Sequence, residues 1–227
     1  RYYSGNIFYM EEKAKVIFEN NNFLILDKRA GVTCTKEGKE YEMGTIEDWL
    51  REKYGDNGLP REGIVHRLDK GTQGLMVVAK NSKYREKLLK LFKNRQIKKI
   101  YWALIEGELP EKGEIKVPIG RSRYKFGRFA VREDGKKAET HFRVIKKYFF
   151  KDKYYSLVEV DLKSGRTHQI RVHFSYLGWP LVGDGTYRGH ELMGLKSPFL
   201  VAKKLAFDKY SFEIELPDNL NKILEQL

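Results

Sequence analysis

The sequence predicts an α+β fold built on a mainly antiparallel sheet with flanking helices. Strand-like apolar runs follow one another with few helical patterns between them, the order expected when neighbouring strands pair directly. The helical patterns that do occur carry recognisable caps. No internal repeat, low-complexity tract or proline- or serine-rich linker divides the chain, so the elements belong to one unit.

In chain order, Phe23 to Leu26 is a short apolar run and the first clear strand. Thr45-Ile46-Glu47-Asp48 reads as a capping box ahead of Trp49 and Leu50, which starts a helix. Leu75 to Ala79 is a continuous apolar run bounded by polar residues, the mark of a strand buried on both faces. Asn81 can cap a second helix whose Tyr84, Leu88, Leu91 and Phe92 share one face while lysines line the other. Ile100 to Ile105, Thr140 to Ile145 and Tyr155 to Asp161 are further strands. A third helix is expected from Thr167, with Ile170, Phe174 and Leu177 at helical spacing and Gly178 and Pro180 closing it. Tyr210 to Leu216 is the last strand, and Asp218 to Leu227 an amphipathic helix with Leu220, Ile223, Leu224 and Leu227 turned inward.

A chain of 227 residues can bury a self-sufficient core. A single domain over residues 16–227 is expected, preceded by an extension, residues 1–15, that reads as the remnant of a missing domain because the chain starts at Arg1 without an initiator Met. No apolar run approaches the roughly 18 residues a membrane span requires, so no membrane segment is expected. The single cysteine, Cys34, can build neither an internal disulfide nor a cysteine-rich metal site, which fits a reducing cytoplasm. No motif surrounds it, so a small, partly buried side chain is its plain reading.

The net charge of +13 points to a polyanionic partner, and the charge is clustered. Nine Lys or Arg lie between Lys80 and Lys99 against one acid, Glu86; Lys83, Lys87 and Lys90 fall on the second helix. Seven more lie between Arg121 and Lys137, where Arg121, Arg123 and Arg128 interleave with Tyr124, Phe126 and Phe129, a mix suited to phosphate contacts and base stacking. A run of charge can be no more than a solvated face, but two runs agree with the global excess.

The chemistry concentrates in His66-Arg67-Leu68-Asp69-Lys70-Gly71-Thr72-Gln73-Gly74-Leu75. Asp69 stands between two cations in a glycine-bearing turn anchored by the strand that follows, and a carboxylate so placed is expected to stay ionised and is a candidate nucleophile. A turn aspartate that merely pairs with Arg67 or Lys70 is the competing reading.

This decapeptide resembles the catalytic motif of the RluA-type pseudouridine synthases, and further motifs of that family recur in order over about residues 16 to 217. Val16 to Asn20 and Phe23 to Gly31 are similar to the opening strand pair and its Asp-Lys-Pro-Ala-Gly turn, with Arg29 where proline is usual. Lys99 to Gly107, Gly135 to Phe142, Ser164 to His173 and Gly178 to Asp184 follow. Gln73, where serine is usual, and Leu200 to Leu205, in place of a segment that carries His-Ala, are departures.

The resemblance implies the pseudouridine synthase catalytic fold, a curved mixed sheet around a central cleft. It also implies an RNA-modifying isomerase that needs no cofactor, acts as a monomer, and takes ribosomal or transfer RNA, ribosomal RNA being favoured. It assigns catalysis to Asp69, places Tyr101 in the pocket, and makes Arg166 the cation paired with Asp69. Arg67 is expected to fill the gap left by an extruded uridine and Ile170 to form the apolar floor, with Lys70, Thr72 and His168 also contacting substrate. His168 with His173, and His66 with Asp69, lack metal-ligand spacing, and no metal is expected. Phosphate-loop, dinucleotide and serine-hydrolase signatures are absent from the sequence. An RNA-binding module without catalysis would be expected to lack Asp69, Tyr101 or Arg166, whereas a structural DNA- or ribosome-associated protein would explain the charge but not Asp69 between cations.

Overall fold

A nine-stranded sheet forms the spine of the computed structural model, which describes residues 13–36 and 44–227. Its strands are β1 (Ala14–Glu19), β2 (Phe23–Lys28), β3 (Gln73–Ala79), β4 (Lys98–Glu106), β5 (Lys112–Ile115), β8 (Thr140–Phe150), β9 (Lys153–Leu162), β10 (Leu200–Phe207) and β11 (Tyr210–Glu213). The order is β1-β2-β3-β10-β4-β9-β8-β5, with β11 paired to β10. Every pairing is antiparallel except β3 with β10, where Gln73 and Gly74 lie beside Val201 and Ala202. The mainly antiparallel mixed sheet is therefore as expected. Register shifts at Val16/Phe18, Val144/Lys146 and Ala202/Lys204 add local twist. A separate hairpin pairs β6 (Ile119–Arg121) with β7 (Phe129–Val131).

Strand β10 lies at the middle of the sheet, yet the sequence reading above gives it no strand. Its Lys203 and Lys204 interrupt the apolar pattern; Lys203 is nevertheless buried, its stem in the sheet and its ammonium 5.1 Å from the centre of the Trp102 ring. Gly74 makes the parallel contact possible, because a side chain there would come within 2.5 Å of the Ala202 carbonyl oxygen and its φ is +120°.

Alternation along the strands divides the core. Leu24, Leu26, Met76, Val78, Tyr101, Ala103 and Ile105 face α1 (Ile46–Tyr54) and α3 (Gln169–Tyr176), meeting Ile46, Trp49, Ile170 and Phe174. On the opposite face, Phe23, Ile25, Leu75, Val77 and Ala79 pack with Leu88 of α2 (Ser82–Lys93), and Leu104, Leu157 and Val201 pack with Leu220 and Ile223 of α4 (Asp218–Glu225). Both faces of β3 are thus covered, which is why its sequence is continuously apolar.

The expected caps form: Thr45 and Asp48 make the reciprocal capping box, and Asn81 accepts from the Tyr84 N–H. The third helix begins two residues later than expected, at Gln169, because His168 takes a left-handed conformation with φ 55°. Residues 1–12, most of the expected extension 1–15, lie outside the described residues, and β1 starts at Ala14. No helix among the described residues is long and apolar enough to cross a membrane.

Candidate active site

Asp69 sits where the chain turns into β3. The Thr72 N–H closes the turn on the Asp69 carbonyl at 3.0 Å, and the Gly31 N–H donates to the Lys70 carbonyl at 2.7 Å, tying this turn to the one after β2. Lys28, fully buried, donates from Nζ to the carbonyls of Arg29 and Val32 at 2.8 Å each and reaches that of Lys70 at 3.4 Å. Burial holds its amine down to about 8, against the attraction of Cys34, Asp69 and Asp27. Cys34, more deeply buried than the partly buried side chain expected, meets the backbone N–H and carbonyl of Leu68 at 3.4 Å. Behind the turn, the Val77 N–H donates to His66 Nε2 at 3.0 Å, and burial pushes that imidazole down to about 3, so it acts as a neutral acceptor.

The cation beside Asp69 is Arg171, not Arg166. Arg171 Nη1 lies 3.5 Å from Asp69 Oδ2, while Nε and Nη2 bind both oxygens of the buried Asp184 at 2.7 and 2.8 Å. Its guanidinium also lies 4.9 Å from the Tyr187 ring centre. Arg166 instead points along the rim, donating from Nε to the Lys137 carbonyl at 3.1 Å. The reason is local: Gln169 folds back on the loop before α3, its Oε1 accepting from the Arg166 N–H and the Ser164 hydroxyl, its Nε2 donating to the Glu139 carbonyl and Thr140 Oγ1. That clamp fixes Arg166 outside the helix. Arg171 lies in the same sequence motif as Arg166, but choosing between the two needs the turn geometry at His168. His168 Nε2 does come within 3.9 Å of Asp69 Oδ1, and its Nδ1 is 2.8 Å from the Tyr187 hydroxyl.

These groups open into a cavity of about 1020 Å³ lined by Arg67, Asp69, Thr72, Tyr101, Arg166, His168, Ile170 and Arg171, among others. Tyr101 projects from β4 on the face that meets α3; burial, the Asp69 charge and Cys34 push its phenol up, so it remains a neutral proton donor. Thr72 is buried with its hydroxyl unpaired, Ile170 is buried, and Arg67 is exposed at the cavity. Lys70 is exposed and contributes its carbonyl rather than its side chain to the contacts of the turn. Eight Lys and Arg line the cavity against three carboxylates, giving it an anion-attracting field. Among the described residues no group of three or more His, Cys, Asp or Glu gathers as metal ligands would.

A model of the RNA pseudouridylate synthase family matches residues 22–176, which contain Asp69 and Tyr101. The chain belongs to that family. It is 35% identical over 223 residues to an uncharacterized RNA pseudouridine synthase of Bacillus subtilis, YlyB, covering 93% of this chain and 72% of the relative. It is 39% identical over 176 residues to ribosomal large subunit pseudouridine synthase D of Pseudomonas aeruginosa, covering 77% of this chain and 53% of that protein. The chain thus spans about half the length of that ribosomal relative. Among solved structures, human RNA pseudouridylate synthase domain containing 1 matches with a TM-score of 0.72 and 28% identity over 91% of this chain and 84% of its own. The expected fold is the observed one.

The surfaces expected to meet RNA are less uniform than the sequence suggests. Lys83 and Lys90 are exposed on α2, outside the cavity lining, and Lys87 is 2.5 Å from Asp208. In the β6–β7 hairpin, Arg121 lies over the Phe129 ring, Arg123 pairs with Asp134 at 3.1 Å and Arg128 donates to the Thr186 carbonyl at 2.6 Å. Tyr124 and Phe126 at its tip are 94% and 102% exposed. Phe129 connects the hairpin to the site, its N–H donating to the Tyr187 hydroxyl at 3.0 Å.

Proposed function

We propose that residues 16–227 form the catalytic domain of an RNA pseudouridine synthase that isomerises uridines of ribosomal RNA, or of transfer RNA, as a monomer and without a cofactor. The observation that carries this reading is Asp69 held 3.5 Å from Arg171 in a cavity shared with Tyr101 and rimmed by cations. The names of the ribosomal large subunit relatives favour ribosomal RNA.

Isomerisation breaks the bond from ribose C1′ to uracil N1, turns the base within the pocket and joins C1′ to C5, while a proton leaves C5 and N1 gains one. Atoms and electrons balance without a redox partner. Asp69 is the group we assign to attack on the ribose or the base, or to proton removal from the sugar; a carboxylate can do each. Arg171 orients it through a charge-assisted contact, and Tyr101 supplies a ring against which uracil stacks and a hydroxyl for proton transfer. A stacked uridine must be extruded first, at a cost of a few kcal/mol. Arg67, at the cavity edge, is positioned to fill the space left behind, and Ile170 gives the base an apolar floor.

Mapping pseudouridines across the transcriptome with and without the gene tests the assignment. Loss of one or a few sites, in ribosomal RNA first, is expected; an unchanged map would refute it.

A further inference from the structure

Lys99 is a partly buried cation of the cleft to which the proposed reaction gives no role. Lys99, at the start of β4, lines the cavity on the wall between the α2–β4 turn and the loop after β9. Its ammonium is partly buried and, among the described residues, makes no hydrogen bond or ion pair. Burial disfavours its charge, Asp161 favours it and Arg95 opposes it. The charge is close enough to help keep His66 neutral. Asp161, the carboxylate that faces it, is already bound by Lys163 at 2.6 Å. A partly desolvated ammonium without its own anion is costly to keep unless something else supplies that anion.

The backbone beside it is open. A side chain at Gly165 would stand 3.4 Å from Lys99 Nζ, so glycine leaves the approach to the ammonium clear. Arg95 and Lys163 belong to the same cavity wall, and Arg166, clamped by Gln169, stands beside Gly165. Glycine next to a partly buried cation, with further cations around it, is an arrangement that admits a phosphate oxygen closely.

We propose that Lys99, with Gly165 and the flanking Lys163, seats one phosphodiester of the RNA strand near the uridine held at Asp69. The inference rests on the proposed function for the identity of the strand. The seat fixes where the backbone crosses the cleft, and therefore from which side the target nucleotide enters. A contact to phosphate is the same for every base and the same in ground and transition states, so it contributes affinity and register rather than chemistry.

The test measures binding of a short fluorescein-labelled oligouridylate across a series of KCl concentrations, alongside turnover on a reactive RNA. Lys99→Gln is expected to weaken binding about tenfold at low salt and to flatten the log–log salt slope by about 0.7, the value for one contact to a single strand. KM should rise by about the same factor with kcat held. Lys99→Arg should restore the slope, and Lys222→Gln, on α4 at the opposite face of the sheet, should leave it unchanged. Oligouridylates with one neutral methylphosphonate linkage moved stepwise locate the seat: at one linkage the wild type loses affinity and Lys99→Gln loses no more. If Lys99→Gln fails to fold, Gly165→Leu covers the ammonium while keeping its charge and should give the same loss. Wild-type affinity and slope in Lys99→Gln, or equal sensitivity of both proteins at every linkage, would overturn the seat. A wild type that binds oligouridylate through Lys99 but forms no pseudouridine would overturn the reaction and leave the seat standing.

Discussion

Replacing Arg171 with Met separates its two tasks, holding the buried Asp184 and orienting Asp69. Asp184 is 1% exposed and accepts two hydrogen bonds from the guanidinium, so removing Arg171 alone strands a buried carboxylate. Breaking such a pair costs about 3–5 kcal/mol of stability. The contact to Asp69 is longer, 3.5 Å against 2.7 and 2.8 Å. Its share therefore falls at the lower end of the 1.5–3 kcal/mol typical of charged hydrogen bonds, which is roughly tenfold in rate. The double variant Arg171→Met/Asp184→Leu replaces the pair with apolar side chains of similar size and should recover stability to within about 1 kcal/mol of wild type. It cannot recover Asp69's partner. Urea unfolding should therefore show a large loss in the single variant and little in the double, while kcat for pseudouridine formation stays at least about tenfold low in both. Arg166→Met, which removes a rim contact to the Lys137 carbonyl, should unfold like wild type and keep most of its kcat. A stable double variant with wild-type kcat would refute the orienting role of Arg171, and a collapse of kcat in Arg166→Met alone would return the role to that residue.

Two further outcomes follow from the same geometry. The fold holds His66 neutral down to about pH 3 whereas the unfolded chain protonates it near 6.5, so stability should fall as pH drops below about 6.5. By pH 5 the loss attributable to this group is about 2 kcal/mol, which His66→Gln should largely remove; equal acid sensitivity of the two proteins in thermal melts would contradict the linkage. At the hairpin tip, Tyr124→Ala with Phe126→Ala should leave stability unchanged, since both rings are fully in solvent. RNA affinity should fall by about 1–3 kcal/mol for each base that stacks there, and the order of preferred RNAs should change; binding indistinguishable from wild type would remove the hairpin from the RNA path.

Local chemistry makes much of this molecule legible in its sequence. The Thr45 and Asn81 caps, the two-faced apolar run of β3 and the amphipathic α2 and α4 depend on neighbours within a few residues, and each formed where expected. Strand β10 was hidden because its burial of Lys203 depends on Trp102, about a hundred residues away in sequence. The β6–β7 hairpin shows in the sequence only as a basic, aromatic stretch, since its three-residue strands are too short to show alternation. The charges on either side of Asp69 mark it in the sequence, whereas the arginine that lies beside it in space is Arg171 rather than Arg166. Choosing Arg171 over Arg166 depends on the left-handed turn at His168 and the Gln169 clamp, which together set the phase of α3. Asp184 and Tyr187, which hold Arg171 and His168, are visible only once the chain after α3 returns to the site.

Asp69 is proposed to convert uridine to pseudouridine in this cleft. The most direct test incubates the purified chain, wild type or Asp69→Asn, with unmodified ribosomal and transfer RNA transcripts and reads pseudouridine by carbodiimide-dependent stops in primer extension. The wild type is expected to create a stop at a discrete uridine. Asp69→Asn, which keeps the side chain's shape but not its charge, should leave less than about one per cent of that activity while RNA affinity falls less than about tenfold. Modification by Asp69→Asn above about one per cent of the wild-type level would rule out Asp69 as the essential group.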